Sequence, residues 1–382
     1  MLPMLSVWLR EAARGTPWED LLGPLRVFDY ITFRSAGAAI TALLLSLLVG
    51  GRFIAELKRL KFQQDYVDLA GADAKLADAR ALKRGTPTMG GLMIVLVLDI
   101  AAVLWARWNT PLKLTLLAVI VLTALGFYDD WAKLTKQTGH GAPERVKLAV
   151  QFALAFFFVA YLAASPTTRS VVASVYVPFV KAPVLTGALV VGGLIAVLAL
   201  VGSSNAVNLT DGMDGLAIGC TLMVSFVFLI LTYVASNRVF ADRLLLPYAD
   251  GAGELTVFCA AMLGAGLGFL WYNCPPAQVF MGDTGSLALG GALGVIAVLI
   301  HQPLLLPLAG GVFVLEAGSV LLQRGWFKYT RARYGEGRRL FRMAPLHHHF
   351  EKLGWPETRI VMRFYILSVL CALVALATLK LR

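Results

Sequence analysis

Charged residues are scarce in this chain of 382 residues. Only 15% are Asp, Glu, Lys or Arg, whereas 58% are hydrophobic. Soluble globular domains have about 25% charged residues, so this composition excludes that class and is typical of an integral membrane protein. The net charge of +11 does not indicate nucleic-acid binding, because the cytoplasmic loops of multi-pass membrane proteins carry an excess of Lys and Arg. We therefore expect no nucleic-acid partner.

Other features are missing as well. The chain has four Cys residues and no C-x-x-C motif, which supports neither a disulfide framework nor a zinc site. The N-terminus lacks a basic segment followed by a short apolar core and a small-residue cleavage site, so we predict no removable signal peptide. No internal repeat is visible, which disfavours a transporter built from inverted repeats.

Long hydrophobic runs dominate the rest of the chain. Ten of them have about the length that crosses a bilayer as a helix, so we predict an all-α polytopic membrane protein with about ten transmembrane helices. Pro307, Gly310 and Gly311 interrupt the ninth run, which we expect to be kinked or broken. The predicted spans are Ala36–Ile54, Gly91–Trp108, Leu112–Tyr128, Val146–Ala164, Val184–Val201, Ala217–Val234, Leu255–Tyr272, Ser286–His301, Leu304–Gln323 and Ile360–Leu379.

Basic residues lie mainly on one side of this topology. The loops that follow odd-numbered spans, counted with the three residues at each adjoining span end, hold 21 of the 34 Lys and Arg residues. The opposite side, both tails included and counted in the same way, holds 12, and Arg363 lies deeper in the last span. The positive-inside rule therefore places these loops in the cytoplasm and both termini outside. We predict a single membrane domain over residues 1–382, with an outer N-terminal segment (1–33), an outer hairpin-like loop (165–183) and a cytoplasmic loop rich in His and Arg (324–359).

The stretch Ser204–Leu216 is polar although apolar runs flank it on both sides. Asn205, Asn208, Asp211 and Asp214 recur in it at three-residue intervals, and the glycines between them allow tight turns. A solvated turn with an Asp capping the next helix is the simpler interpretation. A plain turn does not need four carboxamides and carboxylates without a Lys or Arg, so we favour a functional site.

Two adjacent carboxylates, Asp129 and Asp130, end the third predicted span. A helix dipole is negative at that end, which disfavours a stabilising role and favours a catalytic or cation-binding one. Lys133 follows Asp129 at the i,i+4 position and is expected to pair with it. Lys147 opens the next span, and both lysines are candidate substrate-binding residues.

The loop between the seventh and eighth predicted spans supplies a further carboxylate. Its motif N-C-P-P-A-Q-V-F-M-G-D-T-G-S contains Asp283, which taken alone fits an N-cap for the eighth span. If the loops on this side converge, five carboxylates meet, and neither this loop nor Ser204–Leu216 contains a Lys or Arg. Uncompensated negative charge is costly. We therefore predict a hard divalent cation held by oxygen ligands, Mg²⁺.

A basic motif precedes the second span. The motif K-R-G-T-P-T-M-G-G, Lys83–Gly91, offers hydroxyl and backbone N–H groups to an anion. Its simpler interpretation is a basic membrane edge followed by the start of a helix.

A histidine motif follows the ninth span, in the sequence A-P-L-H-H-H-F-E. Its members His347, His348 and His349 would diverge by about 100° on a helix, which disfavours a shared transition metal. Phosphate contact or acid–base chemistry fits the arginines nearby better. Two carboxylates, Asp99 and Glu316, fall inside predicted spans, where carboxylates are costly and often functional. We expect Glu316 to pair with a polar neighbour.

These motifs, in this order, resemble those of the bacterial phospho-N-acetylmuramoyl-pentapeptide transferase family, within the polyprenyl-phosphate N-acetylhexosamine-1-phosphate transferase superfamily. The resemblance runs from about Ile31 to the C-terminus. It rests on K-R-G-T-P-T-M-G-G, F-Y-D-D, N-A-V-N-L-T-D-G-M-D-G-L-A, F-M-G-D-T-G-S and A-P-L-H-H-H-F-E. This chain departs from the family pattern in a longer N-terminal segment and an extended first cytoplasmic loop around Gln63–Asp78.

The resemblance implies transfer of phospho-MurNAc-pentapeptide from UDP-MurNAc-pentapeptide to undecaprenyl phosphate, with Mg²⁺, at the cytoplasmic face of the bacterial inner membrane. Lipid I and UMP are the implied products, and relatives form homodimers. It further implies that Asp283 ligates Mg²⁺, that Asp129 and Asp130 engage the lipid phosphate, and that the three histidines form an essential motif. The implied nucleotide-side residues are Lys83, Thr88, Asn208, Asp211, Asp214, Asn273 and Phe280, with Phe280 stacking on uracil.

Two other functions are compatible with parts of this pattern. A sister transferase that uses UDP-GlcNAc shares the Asp pair and the N-x-x-N-x-x-D-G motif. A transporter or lipid-binding channel would move a ligand without breaking a bond. The sequence leaves both a direct displacement and a phospho-aspartate intermediate open.

Overall fold

The computed structural model describes residues 1–60, 62, 85–135 and 141–379. Within these ranges the chain is mainly helical and has no β-strand, and Val175 and Leu185 form an isolated antiparallel bridge. The ten longest described helices are α1 (Ile31–Arg59), α2 (Gly91–Trp105), α3 (Thr110–Thr135), α4 (Glu144–Ala164), α5 (Leu189–Thr210), α6 (Leu216–Ala235), α7 (Gly253–Asn273), α8 (Gly282–Leu299), α9 (Gly311–Tyr334) and α10 (Glu357–Ala377).

Eight of these helices are long and apolar enough to cross a membrane. The two others are α2, which is apolar but has 15 residues, and α9, which continues into a polar segment. The prediction of an all-helical polytopic membrane protein is confirmed, and the number of ten spans stays a prediction.

Three helices extend further than their apolar runs. α3 continues to Thr135, α5 to Thr210, and α8 begins at Gly282. The Asp pair therefore lies between one and two turns before the last residue of α3, and the placement of Ser204–Thr210 in a turn was wrong. Hydrophobic runs mark where a helix meets lipid, whereas backbone hydrogen bonding continues through polar turns that neighbouring helices cover.

The ninth predicted span contains two helices. A short helix, Leu306–Ala309, precedes α9, and Gly310 between them is non-helical, with φ −94° and ψ 34°. α9 then runs past the predicted end to Tyr334, and a second short helix covers Leu346–Lys352. The predicted polar loop 324–359 is therefore largely helical, because a helix can continue where its side chains become polar.

The two outer segments also contain helices. The first 33 residues form a helix at Leu2–Ala12, another at Glu19–Leu22 and a 3₁₀ helix at Gly23–Asp29, before α1 begins. Segment 165–183 contains the helix Arg169–Ala173. The single bridge to Leu185 takes the place of the expected hairpin-like strands.

Helix α8 lies at the centre of the bundle, with about nine-tenths of its residues buried. Its glycines allow α5 to approach closely. A Cβ atom on Gly290 would lie 2.4 Å from the backbone oxygen of Ser203, and one on Gly294 would lie 2.8 Å from that of Ala199. Tight packing fixes the position of α8, and thereby of Asp283 in its first turn.

Candidate active site

The end of α3 and the start of α8 meet around three carboxylates. Asp129 and Asp130 lie on the last turns of α3, and Asp283 lies on the first turn of α8. One oxygen from each of the three lies within 4.8 Å of the others. The predicted convergence is confirmed for these three residues, which we call the acidic cluster.

Two lysines neutralise much of the charge of this cluster. Lys133 Nζ lies 2.6 Å from Asp129 Oδ2 and 3.1 Å from Asp283 Oδ1, which confirms the i,i+4 pair. Lys147 Nζ, from α4, lies 3.2 Å from Asp129 Oδ1 and 3.1 Å from Asp283 Oδ2. The premise of uncompensated charge was therefore wrong. The two lysines lie on helices α3 and α4, whereas only the two acidic loops were considered.

Asp130 supports the start of α8. Its carboxylate accepts hydrogen bonds from the backbone N–H of Asp283 at 3.2 Å, and from the backbone N–H and hydroxyl of Thr284 at 3.0 and 2.7 Å. A carboxylate at this position complements the positive end of the helix dipole. These contacts occupy both carboxylate oxygens, so Asp130 holds Asp283 in place.

Asn208 connects the polar stretch to the acidic cluster. Its side-chain amide donates to Asp283 Oδ1 and to Ser286 Oγ, each at 2.9 Å. Asn205, one turn earlier, donates instead to Gln151 Oε1 at 2.7 Å and to a backbone oxygen of its own helix. In the described residues Asn205 therefore contacts α4 rather than the carboxylates.

Asp211 and Asp214 lie in the turn between α5 and α6. Burial, and then the negative charges of Asp283 and Asp130, raise the pKa of Asp211 to about 8. Asp214 lies on the other side of the turn, where its Oδ2 accepts from the backbone N–H of Ala277 at 3.0 Å. Asn273 accepts from the backbone N–H of Gly215 and donates to the backbone oxygen of Val279. Asp214 and Asn273 thus join two loops.

The described part of the basic motif, residues 85–91, lies at the same end of the bundle. Phe280 N–H donates to Pro87 O, and Gly90 N–H donates to Phe280 O, both at 2.8 Å. Thr88 is buried beside Gly282, and the Phe280 side chain is partly exposed. Lys83 lies outside the described residues, so its candidate role stays a prediction.

The three histidines have different hydrogen-bond partners, although the ring centroids of His347 and His348 lie 4.2 Å apart. His347 is buried, and its Nδ1 lies 3.1 Å from Glu316 Oε2, which confirms that Glu316 pairs with a polar neighbour. His348 Nδ1 lies 2.9 Å from Glu351 Oε2, and His349 Nδ1 accepts from the backbone N–H of Arg342. The three Nδ1 atoms therefore have three different partners rather than one shared ligand.

The acidic cluster has the donor chemistry of a divalent-metal site. All its ligand atoms are carboxylate oxygens, the type that Mg²⁺ prefers. The spacing fits one shared ion. Lys133 and Lys147 would then pair with phosphate oxygens or with the carboxylate oxygens that the ion leaves uncoordinated.

Sequence reasoning missed several supporting residues. Thr284 follows Asp283 directly, and the start of a helix after M-G-D could have pointed to its capping contact. Gln151, Ser286 and Tyr365 are ordinary polar residues of apolar helices, and only packing reveals their roles. Tyr365, for example, donates from its hydroxyl to the backbone oxygen of Gly215 at 2.7 Å.

Comparison with known proteins gives consistent matches. Residues 112–301 match the family described as glycosyl transferase family 4, and residues 83–95 match phospho-N-acetylmuramoyl-pentapeptide-transferase signature 1. The chain is 46% identical over 370 residues to the phospho-N-acetylmuramoyl-pentapeptide-transferase of Methylacidiphilum infernorum, covering 96% of this chain and 98% of the relative. It is 46% identical over 365 residues to the protein of the same name from Opitutus terrae, covering 95% and 98%.

Proposed function

This chain belongs to the phospho-N-acetylmuramoyl-pentapeptide-transferase family, and we propose that its acidic cluster transfers phospho-MurNAc-pentapeptide from UDP-MurNAc-pentapeptide to undecaprenyl phosphate. The products are lipid I and UMP, which places the enzyme in peptidoglycan synthesis. The observation that carries this proposal is the meeting of three carboxylates and two lysines at one end of a membrane helix bundle.

Over the whole reaction, one phosphorus–oxygen bond forms and one breaks. An oxygen of the lipid phosphate bonds to the phosphorus that carries the sugar. The bond from that phosphorus to the bridging oxygen breaks, and its electron pair leaves with UMP. Phosphoryl transfer depends mainly on positioning and on neutralising charge, and two ammonium groups beside three carboxylates supply both.

The carboxylates have different roles in this proposal. Asp130 is occupied by the start of α8, so it positions Asp283. Asp129 carries the contact with the lipid phosphate, and Lys133 and Lys147 hold phosphate oxygens. Asp283, supported by Asn208, is the principal ligand of Mg²⁺, which when bound neutralises diphosphate charge.

Residues around the cluster form the nucleotide side of the proposed site. Asp211, Asn208 and Phe280 line it, and Phe280 is the residue that stacks on uracil in this proposal. Thr88, Asp214 and Asn273 hold the loops that carry these residues. Lys83, Asn205, His347, His348 and His349 complete the set of proposed site residues.

The proposed setting is the bacterial inner membrane, with the site facing the cytoplasm and both termini outside. The distribution of Lys and Arg supports this orientation. The chain forms one transferase domain in this proposal, and we propose a homodimer by family resemblance. A soluble nucleotide sugar and a lipid phosphate can both reach such a membrane-edge site.

A substrate comparison tests the proposal. Purified protein is mixed with undecaprenyl phosphate and Mg²⁺, and release of UMP is measured from UDP-MurNAc-pentapeptide and, separately, from UDP-GlcNAc. We expect release from the first substrate only. Release from UDP-GlcNAc alone would assign the chain to the sister transferases, and ligand movement without UMP release would indicate a transporter.

A further inference from the structure

A buried carboxylate on α9 holds the first histidine of the histidine motif. Glu316 is 0% exposed, and His347 is 1% exposed. The backbone N–H of His347 donates to Glu316 Oε1 at 3.2 Å, and His347 Nδ1 lies 3.1 Å from Glu316 Oε2. One carboxylate thus contacts both the backbone and the ring of the same residue.

These contacts determine where the imidazole carries its proton. Oε1 accepts from the backbone N–H of His347, and with Oε2 acting as an acceptor too, Nδ1 is the donor of the second contact. Burial lowers the pKa of His347, which favours the neutral ring. A neutral ring with its proton on Nδ1 has an unshared electron pair on Nε2.

Nε2 is a buried acceptor that has no hydrogen-bond partner in the described part of the chain. It lies against the turn between α5 and α6, the turn that contains Asp211. A Cβ atom on Gly212 would lie 2.3 Å from Nε2, so any larger residue there would force the His347 ring to move. Buried polar atoms normally have a partner, which makes this acceptor an unexplained feature of the site.

We propose that Glu316 is a positioning residue of the transfer site, holding His347 in the Nδ1–H form so that Nε2 accepts a hydrogen bond from the nucleotide-sugar substrate. The donor is a hydroxyl or amide N–H of the substrate that enters beside Gly212. This inference rests on the proposed function for the identity of the substrate. The state of the His347 ring does not depend on that function.

The first experiment examines the ring without any substrate. The two ring nitrogens of His347 are observed by NMR in the full-length protein, with the signals assigned by their loss in His347→Gln. In Glu316→Gln the amide oxygen still accepts from the backbone N–H, so the amide NH₂ faces Nδ1 and donates to it. We therefore expect the proton to move to Nε2.

A matched variant controls for the loss of a carboxylate near a histidine. Glu351→Gln removes the carboxylate that contacts His348 on the same short helix. We expect the His347 signals to keep the Nδ1–H pattern in this variant. If Glu316→Gln also keeps that pattern, the positioning role of Glu316 is wrong.

The second experiment measures the affinity for UDP-MurNAc-pentapeptide by titration, without the lipid acceptor. We expect Glu316→Gln to raise the dissociation constant about tenfold, because a donor then faces the substrate donor. A purely structural role would lower the folded fraction and leave the affinity of the remaining folded protein unchanged. Unchanged affinity after a changed ring state would overturn the acceptor role.

Two glycine variants test whether binding depends on the placement of the His347 ring or on any change in or near α5. Gly212→Ala displaces the His347 ring and should weaken binding to a similar extent. Gly202→Ala is the control, because a Cβ atom there meets nothing within 4 Å, and it should bind as wild type does. If the wild-type protein fails to release UMP, the proposed function fails, whereas the ring measurement still decides the role of Glu316.

Discussion

Lys133 Nζ lies 2.6 Å from Oδ2 of Asp129, the residue one helical turn before it on α3. The same ammonium group also lies 3.1 Å from Asp283 on α8. One lysine therefore joins carboxylates of two helices that are distant in the chain. Lys133 Nζ also lies 3.6 Å from Asp130 Oδ1, so this lysine contacts all three carboxylates of the acidic cluster.

Removing that charge should remove activity. We expect Lys133→Met to lower the rate of UMP release by about 100-fold or more, as does removal of other preorganised charge-stabilising groups. Lys113→Met is the matched control, since Lys113 is an exposed lysine near the other end of α3. A Lys133→Met rate close to that of the control would show that this contact is not needed.

Substitution of Asp130 should lower the stability of the protein, because its carboxylate accepts hydrogen bonds from the first turn of α8. An asparagine has one acceptor oxygen, so Asp130→Asn leaves at least one of its buried donors on Asp283 or Thr284 unpaired. We expect the free energy of unfolding to fall by about 1–3 kcal/mol, measured as a lower thermal midpoint in detergent. Asp250→Asn, at an exposed turn, should change the midpoint little. Equal midpoints for the two variants would contradict the supporting role.

The raised pKa of Asp211 predicts a pH dependence of stability. The unfolded residue loses its proton near pH 3.8, whereas the folded residue keeps it up to about 8. The stability that Asp211 contributes is full below the unfolded pKa and is lost as pH rises through the folded pKa. Thermal midpoints in EDTA should therefore fall between about pH 6 and about pH 8, by at most about 1.4 kcal/mol of stability per unit. Asp211→Asn should remove this part of the slope, and an unchanged slope would refute the assignment.

Metal removal tests the chemistry of the carboxylate oxygens. We expect EDTA to abolish UMP release and added Mg²⁺ to restore it, because the ligands suit a hard cation. A rate unaffected by EDTA would show that Lys133 and Lys147 alone neutralise the substrate. Zn²⁺ should restore less activity, since the cluster offers no nitrogen or sulfur ligand among the described residues.

Much of this architecture could be predicted from hydrophobic run lengths and motif order. The runs located the ten longest helices of the described residues, and the motifs located the three carboxylates and the histidines. What run lengths cannot show is where a helix continues beyond lipid. Asp129 and Asp130 were placed at a helix end for this reason, although α3 continues to Thr135.

Long-range partners were also out of reach of the sequence. Lys147 pairs with Asp283 although 136 positions separate them. The residues around Lys147 do not indicate that Asp283 is its partner. For the contact between Glu316 and His347, the sequence predicted that Glu316 has a polar partner, because a carboxylate inside an apolar helix requires one. Its identity depends on how α9 packs against the short helix Leu346–Lys352, which only the tertiary structure specifies.

The most direct test of the acidic cluster as the transfer site is UMP release by Asp283→Asn. The rate is measured with UDP-MurNAc-pentapeptide, undecaprenyl phosphate and Mg²⁺, beside wild type and the Asp250→Asn control. We predict a loss of about 100-fold or more in Asp283→Asn and a control rate close to wild type. A folded Asp283→Asn protein with a rate within about twofold of wild type would contradict the account, because electrostatic stabilisation by this cluster would then contribute little to catalysis.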